Sequence, residues 1–409
     1  MSRRVVITGM GCVSALGDDW ATLKANLLKQ KTATRVMPEW DKFVDLQTRL
    51  GAPVDHFQLP SHYTRRAARS MGRVSLLAVR ASELAIQESG LIDNPVLTNG
   101  NTGIAYGSSA GSMDSLRIIG YILETGKMKG LTAATYIQSM SHTAAVNIGI
   151  FFKIRGRVIP TSSACTSGSQ AIGYAYESIR YGKQKVMVAG GAEELSAFTA
   201  MIFDVLFATS TKNTTPQLTP SPFDKSRDGL VVGEGAATLI LEEYEHARTR
   251  GAKIYAEIAG YGCNSDGMHI TQPDAVSMAA VMRLSLQDAG LKEKEIGYIN
   301  LHGTGTKHGD IAESMATNEV FSSAVPVSGV KGHFGHTLGA SGALEAMITI
   351  NMINEGWAVP NANLVEVDPD CAKIDFIIES ARKISTQYSM SNNFAFGGIN
   401  TSLIFRKTI

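Results

Sequence analysis

The 409-residue chain contains 44% hydrophobic residues and has a net charge of +1, from 38 basic and 37 acidic side chains. This length provides a large core and room for two or three domains, whereas the charge balance argues against a broad nucleic-acid-binding surface. No apolar run approaches the roughly 18 residues of a membrane span. The four cysteines include no CxxC pair, which favours a reducing, cytoplasmic location.

The N-terminus predicts a β-strand rather than a targeting signal. Two arginines precede an apolar run at residues 5–8, but Thr8, Gly9 and Gly11 make this run too short for a signal peptide. The segment at residues 9–14 partly imitates a dinucleotide-binding fingerprint, but it lacks the third glycine and a matching acidic residue. We therefore predict a tight turn at these glycines and no cofactor.

Strand-like and helical patterns alternate along the chain, which is typical of a layered α/β fold. The predicted strands cover residues 5–8, 102–106, 185–189, 236–241, 298–301 and 324–328. The predicted helices cover residues 67–89, 170–181, 279–289 and 342–354. The last of these helices is apolar on most sides, so we expect it in the interior.

A run of basic residues precedes the apolar part of the first predicted helix. Arg65, Arg66, Arg69 and Arg73 recur at near-helical spacing. Most such runs form a solvated basic face, and the sequence pattern alone requires nothing more.

Cys165 lies where an apolar strand gives way to small residues and then to an amphipathic helix. At a helix N-terminus, the free N–H groups and the helix dipole favour thiolate over thiol, and the thiolate is the reactive species. The alternative is an inert buried thiol, since free cysteines are among the most buried residues. This segment alone leaves both interpretations open.

Two glycine-rich loops after predicted strands carry histidines in the second half of the chain. His302 follows one strand, and His336 follows another together with Lys331. A cysteine combined with loop histidines and a lysine indicates acyl transfer through a thioester. The spacings of His302 to His308 and His333 to His336 match no common metal motif, so we predict no metal site. We expect His308 and His333 to serve packing or to lie at the surface.

Four ordered motifs make the chain resemble the β-ketoacyl-ACP synthases, condensing enzymes of the thiolase superfamily. They are Ser163-Ala-Cys165-Thr-Ser-Gly, His302-Gly-Thr-Gly-Thr with Asp310 and Glu313, Lys331 ahead of Gly335-His336, and Asn393-Phe-Ala-Phe396-Gly-Gly-Ile-Asn400. The resemblance extends from Val5 to the C-terminus. It implies a thiolase-like five-layered αβαβα fold built from two similar halves, which we place at residues 1–252, with the cysteine, and 253–409, with the histidines and a gating loop.

The resemblance also implies a decarboxylative Claisen condensation. Cys165 would carry the acyl group as a thioester, and His302 and His336 would stabilise the enolate formed when malonyl-ACP loses CO₂. Lys331 and Glu313 are expected to orient the histidines and tune the local charge.

Further residues receive roles from the same resemblance. The backbone N–H groups of Cys165 and Phe396 would form the oxyanion hole, and Phe396 would gate entry of the acyl chain. Residues expected to contact the substrate are Thr304, Thr306, Ala110, Phe203 and Phe394, with Phe198 as another possible pocket wall. Residues expected to dock acyl carrier protein are Arg65, Arg66, Arg69, Lys127 and Lys129.

The chain departs from the pattern of primary fatty-acid synthases at three positions. Gly305 replaces a serine, Ala395 replaces a glycine, and Ala110 replaces a bulkier pocket wall. These departures predict a specialised substrate, such as a longer or unsaturated chain of a polyketide or polyene pathway. The alternatives are a degradative thiolase and a subunit of a ketosynthase/chain-length-factor heterodimer, so the expected assembly is a homodimer or such a heterodimer.

Overall fold

The computed structural model describes residues 2–408. Its strands are β1 (Val5–Ser14), β2 (Arg35–Val36), β3 (Leu50–Ala52), β4 (Thr102–Gly107), β5 (Val158–Thr161), β6 (Val186–Glu193), β7 (Val232–Gly233), β8 (Gly235–Glu243), β9 (Ala256–Ser265), β10 (Ile296–Asn300), β11 (Pro326–Ser328), β12 (Trp357–Ala358), β13 (Asp375–Phe376), β14 (Arg382–Lys383), β15 (Tyr388–Phe394) and β16 (Ile399–Lys407). Its α-helices are α1 (Trp20–Leu28), α2 (Arg65–Ala68), α3 (Arg73–Glu88), α4 (Met113–Thr125), α5 (Ala133–Ser139), α6 (Thr143–Phe152), α7 (Ser167–Arg180), α8 (Ala197–Asp204), α9 (Tyr244–Thr249), α10 (Ala275–Ala289), α11 (Lys307–Phe321), α12 (Lys331–Phe334) and α13 (Ser341–Glu355).

Two groups of five strands share one connectivity. The first has the order β1-β8-β6-β4-β5 and the second has the order β9-β16-β15-β10-β11, with β13 added at its outer edge. Corresponding neighbours are parallel or antiparallel in the same way in both groups. The groups join where β1 pairs with β9 at Val6 and Ile7. The predicted construction from two similar halves is therefore confirmed.

The helices complete five layers. Helices α7 and α13 pack against each other and contact strands of both groups, while α3 and α6 cover the outer face of the first group and α10 that of the second. Helix α13 is buried along most of its length, as expected for a helix that is apolar on most sides. The central layer brings the N-termini of α7 and α13 together, and the candidate site lies there.

The glycines near the N-terminus do not form the predicted tight turn. Gly9 and Gly11 lie inside β1, which continues to Ser14. A Cβ at Gly11 would lie 2.5 Å from the carbonyl oxygen of Ala81 and 2.6 Å from the backbone nitrogen of Ala85. These glycines are therefore required for close packing of the strand against α3 rather than for a turn.

The helix predicted at residues 67–89 is divided into α2 and α3. Between them, Gly72 has an extended conformation (φ −85°, ψ 177°) and precedes the first turn of α3. The division separates the arginines, because Arg73 begins α3 and pairs with the buried Glu234 at 2.6 Å, whereas Arg65 and Arg66 remain exposed on α2.

The predicted boundary between residues 252 and 253 falls in the loop between α9 and β9. Within residues 2–408, no helix is both long and apolar enough to cross a membrane.

We predict that Gly11→Ala lowers the free energy of unfolding by about 1–3 kcal/mol or more, because the new methyl group overlaps the backbone of α3. Urea unfolding followed by circular dichroism measures this change. The matched control is Gly120→Ala in exposed α4, where nothing lies within 4 Å of the added Cβ and where we expect stabilisation of roughly 0.5–1 kcal/mol. Equal effects of the two substitutions would contradict the packing argument.

Candidate active site

Cys165 lies in a short 3₁₀ turn, Ala164–Thr166, between the end of β5 and the start of α7. Ala164 has a left-handed backbone (φ +49°), a conformation that costs energy in a residue with a side chain. The Ser167 hydroxyl stabilises the turn, because it donates to the Ala164 carbonyl at 2.7 Å and accepts from the Ser163 N–H at 2.9 Å. The predicted position of Cys165 at a helix N-terminus is therefore observed.

His336 faces the sulfur atom of Cys165. Its Nε2 lies 3.0 Å from Sγ. Its main chain is held by the first half of the chain, since its N–H donates to the Val231 carbonyl at 2.6 Å and its own carbonyl accepts from Gly233 at 2.9 Å. The Nδ1 atom accepts from the Leu338 N–H at 3.3 Å. A backbone N–H can only donate, so the ring proton of neutral His336 resides on Nε2.

His302 presents the same tautomer by a different arrangement. Its Nδ1 lies 3.1 Å from the Lys331 ammonium and 3.3 Å from the Asn393 amide nitrogen, both of which are donors. Its Nε2 is buried and has no hydrogen-bond partner within residues 2–408. The rings of His302 and His336 lie edge to face, with centroids 5.2 Å apart. Two Nε2–H donors are thus available beside one thiol.

A buried ion pair holds the lysine in place. The Lys331 ammonium contacts a carboxylate oxygen of Glu345 on α13, and both side chains are at most 2% exposed. Lys331 also donates to the His302 carbonyl at 2.7 Å, and Asn393 donates to the second Glu345 oxygen at 2.5 Å. Since an unpaired charge at this depth is very costly, Glu345 is the partner that the buried Lys331 side chain requires beside His302.

Two further carboxylates shape the loop that carries His302. Glu313 accepts the N–H groups of His302 at 2.6 Å and Gly303 at 2.7 Å. Asp310 accepts from the N–H groups of Thr304 and Gly305 and lies 3.3 Å from Arg227. Glu313 therefore positions His302 through its backbone, and its predicted role in orienting the histidines stays a prediction.

The electrostatics keep both imidazoles neutral. Burial, followed by the charge of Lys331, holds the pKa values of His302 and His336 well below the ordinary value. Burial also raises the pKa of Glu313 to about 8. Neutral imidazoles with a proton on Nε2 are suited to donating a hydrogen bond to a developing oxyanion.

The thiol differs from the expectation for a helix N-terminus. Burial raises the pKa of Cys165 to about 11, although Lys331 and the backbone N–H groups of Phe396 and Cys165 itself act to lower it. Desolvation therefore outweighs the helix dipole, and the resting residue is a thiol. The two backbone N–H groups nevertheless point toward the reacting atom, as an oxyanion hole requires.

A cavity of about 1040 Å³ leads to the sulfur. Its walls contain most of the residues expected to act on a substrate, namely Cys165, Phe203, His302, Thr304, Thr306, His336, Phe394 and Phe396. The ring of Phe396 packs against that of Phe203, with centroids 5.3 Å apart. In the following turn the left-handed backbone conformations fall on Gly397 (φ +89°) and Gly398 (φ +73°), so Ala395 occupies its position without this strain.

Comparison with known proteins identifies the family. The family model described as "Beta-ketoacyl synthase, N-terminal domain" matches residues 2–247, and "Beta-ketoacyl synthase, C-terminal domain" matches residues 255–365. The chain belongs to the β-ketoacyl synthase family. The synthase is 37% identical to 3-oxoacyl-[acyl-carrier-protein] synthase 2 of Vibrio harveyi over 99% of both chains.

Solved structures agree with this assignment. A β-ketoacyl synthase from Burkholderia phymatum STM815 is 57% identical to the synthase, covers 100% of both chains and superposes with a TM-score of 0.99. The ishigamide ketosynthase/chain length factor is 29% identical over 100% of both chains, with a TM-score of 0.91. The predicted family, thiolase-like fold and acyltransferase class are confirmed.

Two predicted pocket residues are not among those that line the cavity, and their role as pocket walls stays a prediction. Ala110 lies in the loop after β4, where the backbone of the neighbouring Ser109 bonds Glu193 and Ser162. Phe198, on α8, is 56% exposed and also lies outside the lining. Gly305, one of the noted departures, has φ +81°, so a glycine suits this position for conformational reasons.

Sequence patterns missed Glu345 and Glu193. Glu345 is a single acidic residue in an otherwise apolar stretch of α13, and a lone charge in such a helix was the available signal. Glu193 ends β6, and its carboxylate accepts from the N–H groups of Ser109 and Gly339, both at 3.0 Å. Of the other histidines, His333 is fully buried, with its ring nitrogens 3.1 Å and 3.3 Å from the backbone carbonyls of Lys31 and Pro360, whereas His308 is exposed and lines the cavity.

The ligand atoms of Cys165, His302 and His336 all lie within 4.8 Å of one another, which is a spacing that a metal ion can bridge. The Lys331 ammonium, 3.1 Å from His302 Nδ1, opposes a cation at this point.

We predict that alkylation of Cys165 by iodoacetamide accelerates by about tenfold for each pH unit between roughly pH 7 and 9, because the raised pKa leaves little thiolate in this range. Peptide mass spectrometry measures the labelled fraction, with Cys263 in the same sample as an internal comparison. A rate that levels off below about pH 8 would show that the helix N-terminus prevails over desolvation.

Proposed function

We propose that the synthase elongates acyl chains by decarboxylative condensation of an acyl group on Cys165 with malonyl-ACP. The observation that carries this proposal is the pair of Nε2–H donors, on His302 and His336, beside a single thiol at the end of a cavity. The relatives are named 3-oxoacyl-[acyl-carrier-protein] synthases. We therefore propose that acyl carrier protein delivers both the acyl group and the malonyl group.

In the first step, Cys165 Sγ attacks the thioester carbonyl of an acyl carrier protein. The carbonyl oxygen becomes an oxyanion, which accepts hydrogen bonds from the N–H groups of Cys165 and Phe396. The carbon–sulfur bond to the carrier then breaks, and the thiol proton of Cys165 leaves with the carrier's thiolate. The acyl group remains on Cys165 as a new thioester.

In the second step, malonyl-ACP loses CO₂, and the electrons of the broken carbon–carbon bond form an enolate. Its oxygen accepts from Nε2–H of both His302 and His336, which is why two neutral donors suit the site better than one base. The enolate carbon attacks the acyl carbonyl, and Cys165 departs as a thiolate that takes a proton from solvent to restore the resting thiol. The product is a β-ketoacyl chain on the carrier.

Alternative functions receive less support from the site. A degradative thiolase needs a second cysteine as base, but Cys263 and Cys371 are not among the residues that line the cavity. An inactive chain-length factor has no use for a nucleophile, whereas here Cys165 is held in a strained turn against His336.

We propose that the carrier protein docks on a basic surface formed by Arg65, Arg66, Arg69, Lys127 and Lys129. All five side chains are exposed. Positive charge on this surface complements an acidic partner and increases the rate of encounter.

We also propose that the synthase works as a dimer, either with a second copy or with a chain-length-factor-like subunit. The edge strand β5 exposes 44% of Val158, and helices α4 and α5 expose Leu123 (81%) and Tyr136 (66%). Exposed apolar side chains and an open sheet edge are typical of a surface that a partner covers. The similar structure of the ishigamide ketosynthase/chain length factor supports pairing with a chain-length-factor-like subunit.

Acyl-chain selection follows from the cavity and from the sequence departures. We propose a long or unsaturated substrate in a specialised pathway, accommodated in the cavity that Phe203 and Phe396 line. Ala110 as a pocket wall stays a prediction, one that requires the loop after β4 to approach the acyl chain. The free, unpaired state of all four cysteines supports our expectation of a reducing, cytoplasmic setting.

We predict that His302→Ala and His336→Ala each reduce condensation by about 10²–10³-fold, because each removes one donor to the enolate oxygen. Acyl transfer to Cys165, followed by intact-mass spectrometry, should remain measurable in both variants. His56→Ala, at an exposed site, serves as the control. Loss of wild-type activity on chelation, restored by zinc, would instead indicate a metal at Cys165, His302 and His336.

We predict that Arg66→Glu combined with Arg69→Glu raises KM for acyl-ACP by more than about tenfold but leaves KM for a small acyl thioester unchanged, because charge reversal repels only the acidic carrier. Added salt should weaken binding of the wild type. Arg283→Glu, on the outer helix α10, is the control for a general effect of charge. Equal increases in KM for both substrates would exclude docking as the role of this surface.

A further inference from the structure

The two halves of the chain build their central helices in the same way. In the first half, β5 leads into the turn Ala164–Thr166 and then into α7, which starts at Ser167. In the second half, the corresponding β11 leads through the short helix α12 (Lys331–Phe334) to the turn Leu338–Ala340 and then to α13, which starts at Ser341. Both turns begin with a strained left-handed residue, Ala164 at φ +49° and Leu338 at φ +44°. Ser341 is therefore the counterpart of Ser167.

The two serines nevertheless use their hydroxyl groups differently. Ser167 bonds the backbone of its own turn, through the Ala164 carbonyl and the Ser163 N–H. Ser341 instead directs its Oγ to Nδ1 of His336 at 3.0 Å, and Oγ1 of Thr337 lies 3.1 Å from the same hydroxyl. Ser341 and Thr337 are buried, at 1% and 3% exposure. In the second half, the hydroxyl thus contacts a candidate catalytic side chain rather than the main chain.

The direction of these hydrogen bonds follows from the chemistry of the donors. Nδ1 of His336 already accepts from the Leu338 N–H, which is 3.3 Å away and cannot accept. Nδ1 therefore carries no proton, and Ser341 must donate to it. The oxygen of Ser341 is then free to accept from Thr337, so that the two hydroxyl groups polarise each other in sequence. The hydroxyl is the closer of the two donors to Nδ1.

We infer that Ser341 is a positioning residue that, together with Thr337, holds His336 as the Nε2–H tautomer facing Cys165. The inference rests on the proposed condensing function. The hydroxyl groups of Ser341 and Thr337 would thus fix the tautomer of His336. The Lys331 ammonium and the Asn393 amide fix the tautomer of His302. The titratable groups around His336 are Cys165, His302 and Lys331, and the carboxylate of Glu193 reaches the adjacent Gly339 N–H.

Kinetics of Ser341→Ala test this inference. We expect kcat for condensation with malonyl-ACP to fall about fivefold, as for the loss of one neutral hydrogen bond, with KM for malonyl-ACP unchanged. The acid limb of the pH profile should move to higher pH, because removal of a donor from Nδ1 makes the imidazole more basic. Ser341→Thr keeps the hydroxyl and should restore both kcat and the acid limb. Ser285→Ala, which removes another buried serine bonded to a hydroxyl, should change neither.

A purely structural role gives a different result. Ser341→Ala would then lower the melting temperature without moving the acid limb, or would leave kcat unaltered, and either outcome overturns the inference. If Ser341→Ala does not fold, Thr337→Val removes the second hydroxyl, and its acid limb should move in the same direction. An unmoved limb in Thr337→Val overturns the inference as well.

Nuclear magnetic resonance separates this inference from the proposed function. The ¹⁵N shifts of labelled histidine, assigned with His336→Asn, report the tautomer without turnover. If the wild-type protein condenses no acyl group, the proposed function is refuted. The ¹⁵N spectra of the wild type and Ser341→Ala still test whether Ser341 acts on His336. We expect Nε2–H in both proteins, because the Leu338 N–H still donates to Nδ1 in the variant, and we expect the Nδ1 resonance of Ser341→Ala to shift because it has lost the hydroxyl donor. Identical spectra of the two proteins would overturn the role of Ser341.

Discussion

The buried ion pair between Lys331 and Glu345 is the constraint on which the site depends. It places a positive charge 3.1 Å from Nδ1 of His302, which fixes the ring tautomer and opposes protonation of both histidines. The cost of burying two charges is offset by their mutual attraction and by hydrogen bonds to the His302 carbonyl and Asn393. Because Glu345 belongs to α13, the packing of the central helices determines the electrostatics of the site.

The duplicated fold explains why these groups meet. In each half a strained turn precedes a helix of the central layer, so the N-termini of α7 and α13 come to the same place. One turn supplies Cys165, and the other supplies the Leu338 N–H and Ser341 to His336. The main chain of His336 is also bonded to the first half at Val231 and Gly233. The site is thus shared between the halves, and neither half contains it alone.

The sequence predicted the fold class, the family and the residues that converge, because these depend on strand and helix patterns and on four ordered motifs. Predictions from the sequence were wrong where the burial of a side chain or the packing of the backbone determines the result. A helix N-terminus indicated a thiolate at Cys165, but desolvation prevails. Gly9 and Gly11 suggested a turn, but their role is contact with α3. Glu345 was overlooked because an apolar helix pattern gives no indication of a buried charged partner, and the sequence does not show how Ala110, in a loop, and Phe198, on α8, are oriented toward the cavity.

The most direct test of the account is to locate the acyl group. Incubation of the synthase with a panel of acyl carrier proteins, followed by intact-mass analysis and peptide mapping, should give one adduct, on Cys165, in agreement with the single thiol that faces His336. Addition of malonyl-ACP should then remove the adduct and yield a carrier-bound chain longer by two carbons. An adduct on Cys263 or Cys371 with Cys165 free, or an adduct on Cys165 that malonyl-ACP does not discharge, would contradict the account.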